Sequence, residues 1–452
     1  MTKQPRSFHI ILLIFLALIV SSVVLFNTLC NGDFHGDESG WISSGYYYTE
    51  LLLHRDWDGE KWECPTCLTW GGMSMNLGKW MFGIPLKVYQ MRTGRYFQGY
   101  YEFKSPLEDN FKKGLVPPRD ILLIARSIPA VFGVLCCLLV FLIGYLIYNE
   151  WGGIVAALLT IGNHLFVTYS TKAMTDAFYN FFLLSICLAG IFFVKATTLK
   201  NRIITTILGA VFTGLACSIK ITGITVGFIF FSCLIIYMFC MGRDRISQAL
   251  LLLIGFCLSC LIVVWALNPY FWPIVSQDSR TQAMLEKSQQ VENKKDIYSN
   301  LILDSLKQHS SLMNSRIMQF PRMFFRWRNV YLNLKKTGGD WWLEARFTTL
   351  NRHLFVVFAT FWGSVFFLGV GIVWTFQRLL ASLQTKKIDP CAVALVYFLA
   401  NYFFILAFMV LNWERYYLPT LLAGNILTAA GILQLAVWGY TGTIRLVRNL
   451  AK

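Results

Sequence analysis

Charge is scarce in this sequence. Asp, Glu, Lys and Arg together make up 14% of its 452 residues, where soluble domains carry roughly a quarter. Acid is scarcer than base: 24 Asp+Glu stand against 40 Lys+Arg, a formal net charge of +16. With 56% hydrophobic residues, this shortage excludes a soluble multidomain protein. It also excludes a nucleic-acid binder, whose excess base would sit on a largely polar chain. No Gly-rich phosphate loop is present, so a nucleotide-cradling site is excluded too. There is no internal repeat, no low-complexity run and no Asn-x-Ser/Thr sequon. The missing sequons fit a prokaryotic plasma membrane.

What the chain has instead is long apolar runs. A helix crossing the bilayer needs about 20 mostly apolar residues. Ten segments qualify: 8–26, 121–148, 151–168, 175–195, 203–219, 221–241, 248–267, 353–376, 391–411 and 417–438. The expected fold is an all-α polytopic bundle of about ten transmembrane helices. The first run follows Lys3 and Arg6 but no small-residue cleavage site follows it, which points to a retained signal anchor.

The basic residues orient the bundle. With a cytoplasmic N-terminus, the turns at 149–150, 195–202, 242–247 and 377–390 and the tail from 439 also lie inside. Together with the N-terminus they hold 13 Lys/Arg and only three acids, Glu150, Asp244 and Asp389. The opposite short turns, near 169–174, at 220 and at 412–416, hold one basic residue each. Both termini are therefore expected in the cytoplasm. Two long segments, 27–120 and 268–352, are left outside. Both mix aromatics with charge, as Trp70, Trp80, Tyr96, Phe97, Tyr100 and Tyr101 do in the first. Phe320, Phe324, Phe325, Trp327, Trp341 and Trp342 do so in the second. That mixture suits helices lying in the membrane interface; small caps clear of the membrane are the alternative. The organisation expected is a catalytic transmembrane module at 1–267, an extracytoplasmic region at 268–352 and C-terminal transmembrane helices at 353–452.

Ionisable residues beside apolar helices are functional candidates. Here they fall on one side: Asp37 and Glu38, Arg126, Lys172 and Asp176, Lys220, and Glu414 with Arg415. A transporter would place such groups near the midplane. Charges gathered at one boundary suit a site that takes one substrate from lipid and the other from water. Group transfer from a lipid phosphate fits: a carboxylate serves as general base on an acceptor hydroxyl, and Arg and Lys hold the phosphate. Plainer readings stand beside these. Arg126 snorkels to head groups, Lys172 and Asp176 pair four residues apart on one helix, and Asp37 and Glu38 form a solvated loop pair.

In order along the chain, several motifs carry a resemblance. They are Gly36-Asp37-Glu38, Asn76-Leu77-Gly78-Lys79, Arg126 with Pro129-Ala130-x-Phe132-Gly133, and Gly153-x-x-Ala156-Ala157 leading to Met174-Thr175-Asp176. Gly214-Leu215-Ala216 with Lys220, Asn268-Pro269 and Glu414-Arg415-Tyr416 follow. The chain resembles the phospholipid-carrier-dependent glycosyltransferases of the GT-C fold, a group that includes protein O-mannosyltransferases and aminoarabinose transferases. The family's His-Pro-Pro-Leu-x-Lys stretch reads Ser74-Met75-Asn76-Leu77-Gly78-Lys79 here. The resemblance implies a polyprenyl-phosphate sugar donor and a protein, glycan or lipid acceptor. It implies Asp37 as catalytic base, Glu38 as its companion, and Arg126 with Asp176 as a charged pair in one cavity. Lys79 and Arg415 join Arg126, Lys172 and Lys220 as cations for the carrier phosphate. One displacement at the anomeric carbon implies inversion. No cofactor is assigned; a divalent metal held by Asp37 and Glu38 is left open.

Nine of the 12 cysteines lie in the apolar segments, where a thiol is a small core residue. Cys30, Cys64 and Cys67 lie in the first outer segment, the latter two as one CxxC. A local disulfide, free thiols, or a zinc site with Cys30 and His54 remain the readings for them. His35 and His164 receive no role. A flippase or transporter, and a non-catalytic subunit of a larger complex, are the competing functions.

Overall fold

The structure, a computed structural model, describes residues 6–56, 75–242, 245–269, 363–387, 389–408 and 414–450. The CxxC at 64–67 and the aromatic run from Phe320 to Trp342 lie outside these residues. Every regular element among the described residues is helical. The helices are α1 (Arg6–Asn31), α2 (Gly36–Leu53), α3 (Asn76–Thr93), α4 (Leu107–Lys112), α5 (Arg119–Ile147), α6 (Glu150–Ile161) and α7 (His164–Ser170). After them come α8 (Asp176–Lys195), α9 (Leu199–Cys217), α10 (Gly223–Cys240), α11 (Ile246–Leu267), α12 (Ser364–Thr385) and α13 (Cys391–Phe408). A 3-10 turn (Glu414–Tyr417) then leads into α14 (Leu418–Leu450).

Each apolar segment read from the sequence contains or overlaps a helix, yet the count of ten spans is not reached by length and composition. Seven described helices qualify, or eight when α6 and α7, bent by 70° at Gly162-Asn163, count as one broken span. The helix α9 starts on Leu199-Lys200-Asn201-Arg202, too polar to qualify, and the apolar part of α13 ends at Ile405. Of the span placed at 353–376 the first ten residues lie outside the described residues; the helix in the remainder, α12, runs on from Ser364 to Thr385, so Arg378 lies on a helix rather than in a loop.

Local chemistry sets the helix ends. Pro118 precedes α5, with φ already fixed for the first turn and no N–H to satisfy. Asn149 and Asn163 each cap a helix, their side chains accepting from Gly152 N and Phe166 N. Gly94 closes α3 in the left-handed region, φ 70°, as helix C-termini favour.

The bundle is centred on α8, 83% of whose apolar window is buried, against 11% for α1 at the rim. Around α8 pack α5, α9, α10 and α13. Glycine makes several of the close helix crossings among the described residues, two of which matter here. Gly45 on α2 and Gly83 on α3 meet backbone to backbone: a Cβ on Gly45 would lie 2.9 Å from Gly83 N, and one on Gly83 would fall on the Gly45 carbonyl. Likewise a Cβ on Gly371 of α12 would fall on Leu427 O of α14, and one on Gly431 on Phe367 O. Such close approach is how helices associate in lipid, where apolar side chains gain little from leaving the solvent. The α2–α3 pair falls in the outer segment 27–120, where the mixture of aromatics and charge suits helices. It is tied by Trp80 Nε1 donating to Tyr48 O at 3.2 Å and by the Lys87–Glu50 ion pair.

The turns sort to two ends, as the charge pattern required. At one, Lys195 Nζ donates to Leu146 O (3.5 Å) and Lys386 Nζ to Cys240 O (2.7 Å). The acids singled out above gather at the other.

Candidate active site

The site is built on the first turn of α2. His35 is its N-cap, with extended backbone, and its Nδ1 accepts from Asp37 N at 3.2 Å. Glu38 closes a capping box by accepting from His35 N at 2.9 Å. This turn puts Asp37 and Glu38 on different sides, and their fates differ.

Glu38 is fully buried. Arg126, from the second turn of α5, forks onto it: Nε to Oε1 and Nη2 to Oε2, both 2.7 Å. Oε1 also accepts from Ala173 N at 2.7 Å. The guanidinium spends its other donors on Gly32 O (2.7 Å) and Asp33 O (2.8 Å). One knot thus ties the end of α1, the start of α2, α5 and the 171–175 turn. Arg126 does not snorkel, and it is not Asp176's partner; it is committed to Glu38. With both oxygens filled by four donors, Glu38 is free neither for a proton transfer nor for a metal.

Asp37 is also buried, 7% exposed, but its Oδ2 takes a single strong partner, Arg415 Nη1 at 2.7 Å. Its other oxygen accepts no hydrogen bond among the described residues. Arg415 reaches Asp37 from the 3-10 turn before α14 and also contacts Met174 Sδ at 3.5 Å. Beside this pair lies a second: Lys220 Nζ donates to Asp176 Oδ1 at 2.5 Å. Lys220 sits in the five-residue break between α9 and α10, and Asp176 heads α8. Asp176 bears electrostatically on Arg415, and Asp37 on Lys220, so the four charges form one cluster.

The sequence-level pairing of Lys172 with Asp176 is corrected. Residues 171–175 are not helical, so the two never share a helix face, and Asp176 turns to Lys220 instead. Lys172 is half-buried near Glu38 and Arg126, with Nζ 5.9 Å from the Tyr169 ring centroid. Burial pushes its pKa down, opposed by Glu38. Burial lowers Lys220 as well, with Asp176 holding it up. His35 is lowered by burial, which outweighs the pull of Asp37.

Lys79 stands elsewhere. It is buried between α2 and α3, with Nζ 3.8 Å from the Tyr48 centroid and 3.4 Å from Asn76 Oδ1. Desolvation pushes it down to about 7. Its helix is nevertheless pinned to the site. Asn268 Oδ1 caps α3 by accepting from Asn76 N (3.0 Å), while its amide donates to Ser218 Oγ (3.2 Å) and Val264 O (2.7 Å).

Sequence reasoning missed the parts played by His35 and the Ala173 amide. The capping box His35-x-x-Glu38 was the available signal for the first. No signal marks a backbone amide 135 residues away from its acceptor. Among the described residues, no group of three or more His, Cys, Asp or Glu could hold a metal ion. Asp37 and Glu38 do not fit as joint ligands, since Glu38 has no free oxygen.

A family model for dolichyl-phosphate-mannose-protein mannosyltransferase matches residues 101–274. That stretch holds Arg126, Lys172, Asp176, Lys220 and Asn268, and leaves out Asp37, Lys79 and Arg415. Among solved structures the chain is similar to the archaeal oligosaccharyltransferase AglB from Archaeoglobus fulgidus, in complex with an inhibitory peptide and a dolichol-phosphate. Identity there is 14%, the TM-score 0.52, and the match covers 97% of this chain and 52% of that one. It is similar to ArnT from Cupriavidus metallidurans bound to undecaprenyl phosphate, at 12% identity, TM-score 0.49, covering 94% and 61%. It is also similar to the S. cerevisiae protein O-mannosyltransferase Pmt1-Pmt2 complex bound to its sugar donor, at 16% identity, TM-score 0.41, covering 58% and 33%. The chain therefore spans between a third and about three fifths of the length of these relatives. Comparison with curated proteins gives no match. The likeness to AglB carries the fold: the chain is a GT-C-fold integral membrane protein, as its motifs implied.

Proposed function

We propose that this protein transfers a sugar from a polyprenyl-phosphate carrier to an acceptor hydroxyl, with inversion. The observation that carries the reading is the Asp37 carboxylate, held at one oxygen by Arg415 and flanked by Lys220–Asp176. Asp37 removes the acceptor's proton through its second oxygen. The hydroxyl oxygen attacks the anomeric carbon as the bond to the carrier phosphate breaks. Arg415 and Lys220, with Lys172 at the edge, stabilise the charge that develops on the departing phosphate. Asp176 holds Lys220 in place. Glu38 and Arg126 position the Asp37 turn rather than touching substrate. Lys79 is offered no part in the phosphate site.

The acceptor is a protein, a glycan or a lipid bearing a hydroxyl. The basic termini and turns support a cytoplasmic placement of both chain ends in a prokaryotic plasma membrane, with the site on the opposite face. A transporter would need charge at mid-membrane; these ion pairs lie at helix ends and turns. The test is transfer from a radiolabelled polyprenyl-phosphate sugar by wild type and Asp37→Asn. Transfer by wild type and none by the variant is expected. Equal transfer removes Asp37 as base, and no transfer from any carrier-linked sugar removes the function.

A further inference from the structure

The two ion pairs of the cluster share one aromatic ring. Tyr416 follows Arg415 in the 3-10 turn, and its ring centroid is 5.6 Å from Arg415 Cζ and 5.5 Å from Lys220 Nζ. Both distances are within cation–π range. Lys220 is held from a second side by Tyr179, also at 5.5 Å. The ring thus meets two cations that repel each other, each attracted by both acids.

Charge by itself leaves the pairing open, because each cation is drawn by both acids. An arginine attracted by two carboxylates can fork across both, with Asp37 and Asp176 drawn onto one guanidinium and Lys220 left over. We infer that Tyr416 is a positioning residue: its ring keeps Arg415 on Asp37 and Lys220 on Asp176, presenting two separate cations to the donor's phosphodiester, one for each non-bridging oxygen. This rests on the proposed transferase reading and adds to it a residue and a ligand chemistry. The phosphodiester, with two equivalent anionic oxygens, is the group that two spaced cations fit.

The experiment compares Tyr416→Phe and Tyr416→Leu in the full-length protein. Binding of a polyprenyl phosphate without sugar is measured first, then donor and acceptor KM and kcat. Tyr416→Leu is expected to weaken polyprenyl-phosphate binding roughly tenfold, the scale of lost cation–π contacts, and to raise donor KM with acceptor KM unchanged. Tyr416→Phe, which keeps the ring, is expected to stay within about twofold of wild type. Two results overturn the inference while leaving the transferase reading intact: Tyr416→Leu binding as tightly as wild type, or Tyr416→Phe failing as badly as Tyr416→Leu. Wild type binding no polyprenyl phosphate and transferring no sugar overturns both.

Discussion

Adjacent acids in the first turn of α2 should respond in opposite ways to removal. Glu38 accepts four hydrogen bonds, two of them from a buried guanidinium. In Glu38→Ala, Arg126 keeps its carbonyl acceptors at Gly32 and Asp33 but loses its counter-charge. Stranding one member of a buried pair costs about 3–5 kcal/mol. That is a large part of the roughly 5–15 kcal/mol that holds most folded proteins together. Asp37→Asn keeps the shape, and the amide oxygen still accepts from Arg415. Asp176 still acts on that arginine, so the cost should be about 1 kcal/mol. The expected outcome is a marked drop in melting temperature for Glu38→Ala with near-wild-type melting and lost transfer for Asp37→Asn. A double variant, Glu38→Ala with Arg126→Met, removes both charges and should recover part of the lost stability. The assay is thermal unfolding of detergent-solubilised protein by tryptophan fluorescence, beside the transfer reaction. Melting of Glu38→Ala at the wild-type temperature would refute the knot, as would an equal loss in Asp37→Asn.

Three further outcomes are open to measurement. Gly83→Ala drives a Cβ onto the Gly45 carbonyl and Thr49 Oγ1; it should cost about 1–3 kcal/mol by overpacking, read as a lower melting temperature, and an unchanged value would deny the close crossing. Asn268→Ala removes the α3 cap and two donated bonds, so α3 should become more open to proteolysis between 76 and 93, while Asn268→Asp, which keeps the acceptor, should be milder. His35 titrates below its ordinary 6.5 because of burial. The unfolded chain then takes the proton first, so stability is full above pH 6.5 and declines as pH falls below it. His35→Asn, which can cap without titrating, should flatten the melting profile between pH 7.5 and 5, and parallel profiles would count against the account.

Much of this arrangement is legible in the sequence because lipid makes polarity expensive. Runs such as 121–148 and 175–195 had no alternative to helix, and the charges between them had to gather at helix ends. That logic reached Asp37, Asp176, Lys220 and Arg415, and the structure brings all four together. It failed where pairing depends on backbone path. Lys172 and Asp176 are four apart, which reads as one helix face, but the chain runs through a tight series of bends between α7 and α8. Lys79 lay in a motif yet packs on Tyr48, because α3 turns that face towards α2. The crossing of α2 with α3 was hidden. Gly45, Gly83, three serines and a run of tyrosines give α2 and α3 no apolar stripe, and what buries them is a glycine crossing that no periodicity reports.

The crossing of α12 and α14 has a bearing on the chemistry. Arg415 is continuous with α14 through the 3-10 turn, and α14 is seated against α12 where Gly371 and Gly431 allow the two backbones to touch. The reach of the guanidinium towards Asp37 is therefore set by a fit several helical turns away. Any side chain added there must shift α12 or α14, and where α14 moves the arginine travels with it. A methyl group placed far from the acids thus becomes a ruler for the site: graded substitutions at 371 would step Arg415 away from Asp37 without touching either one.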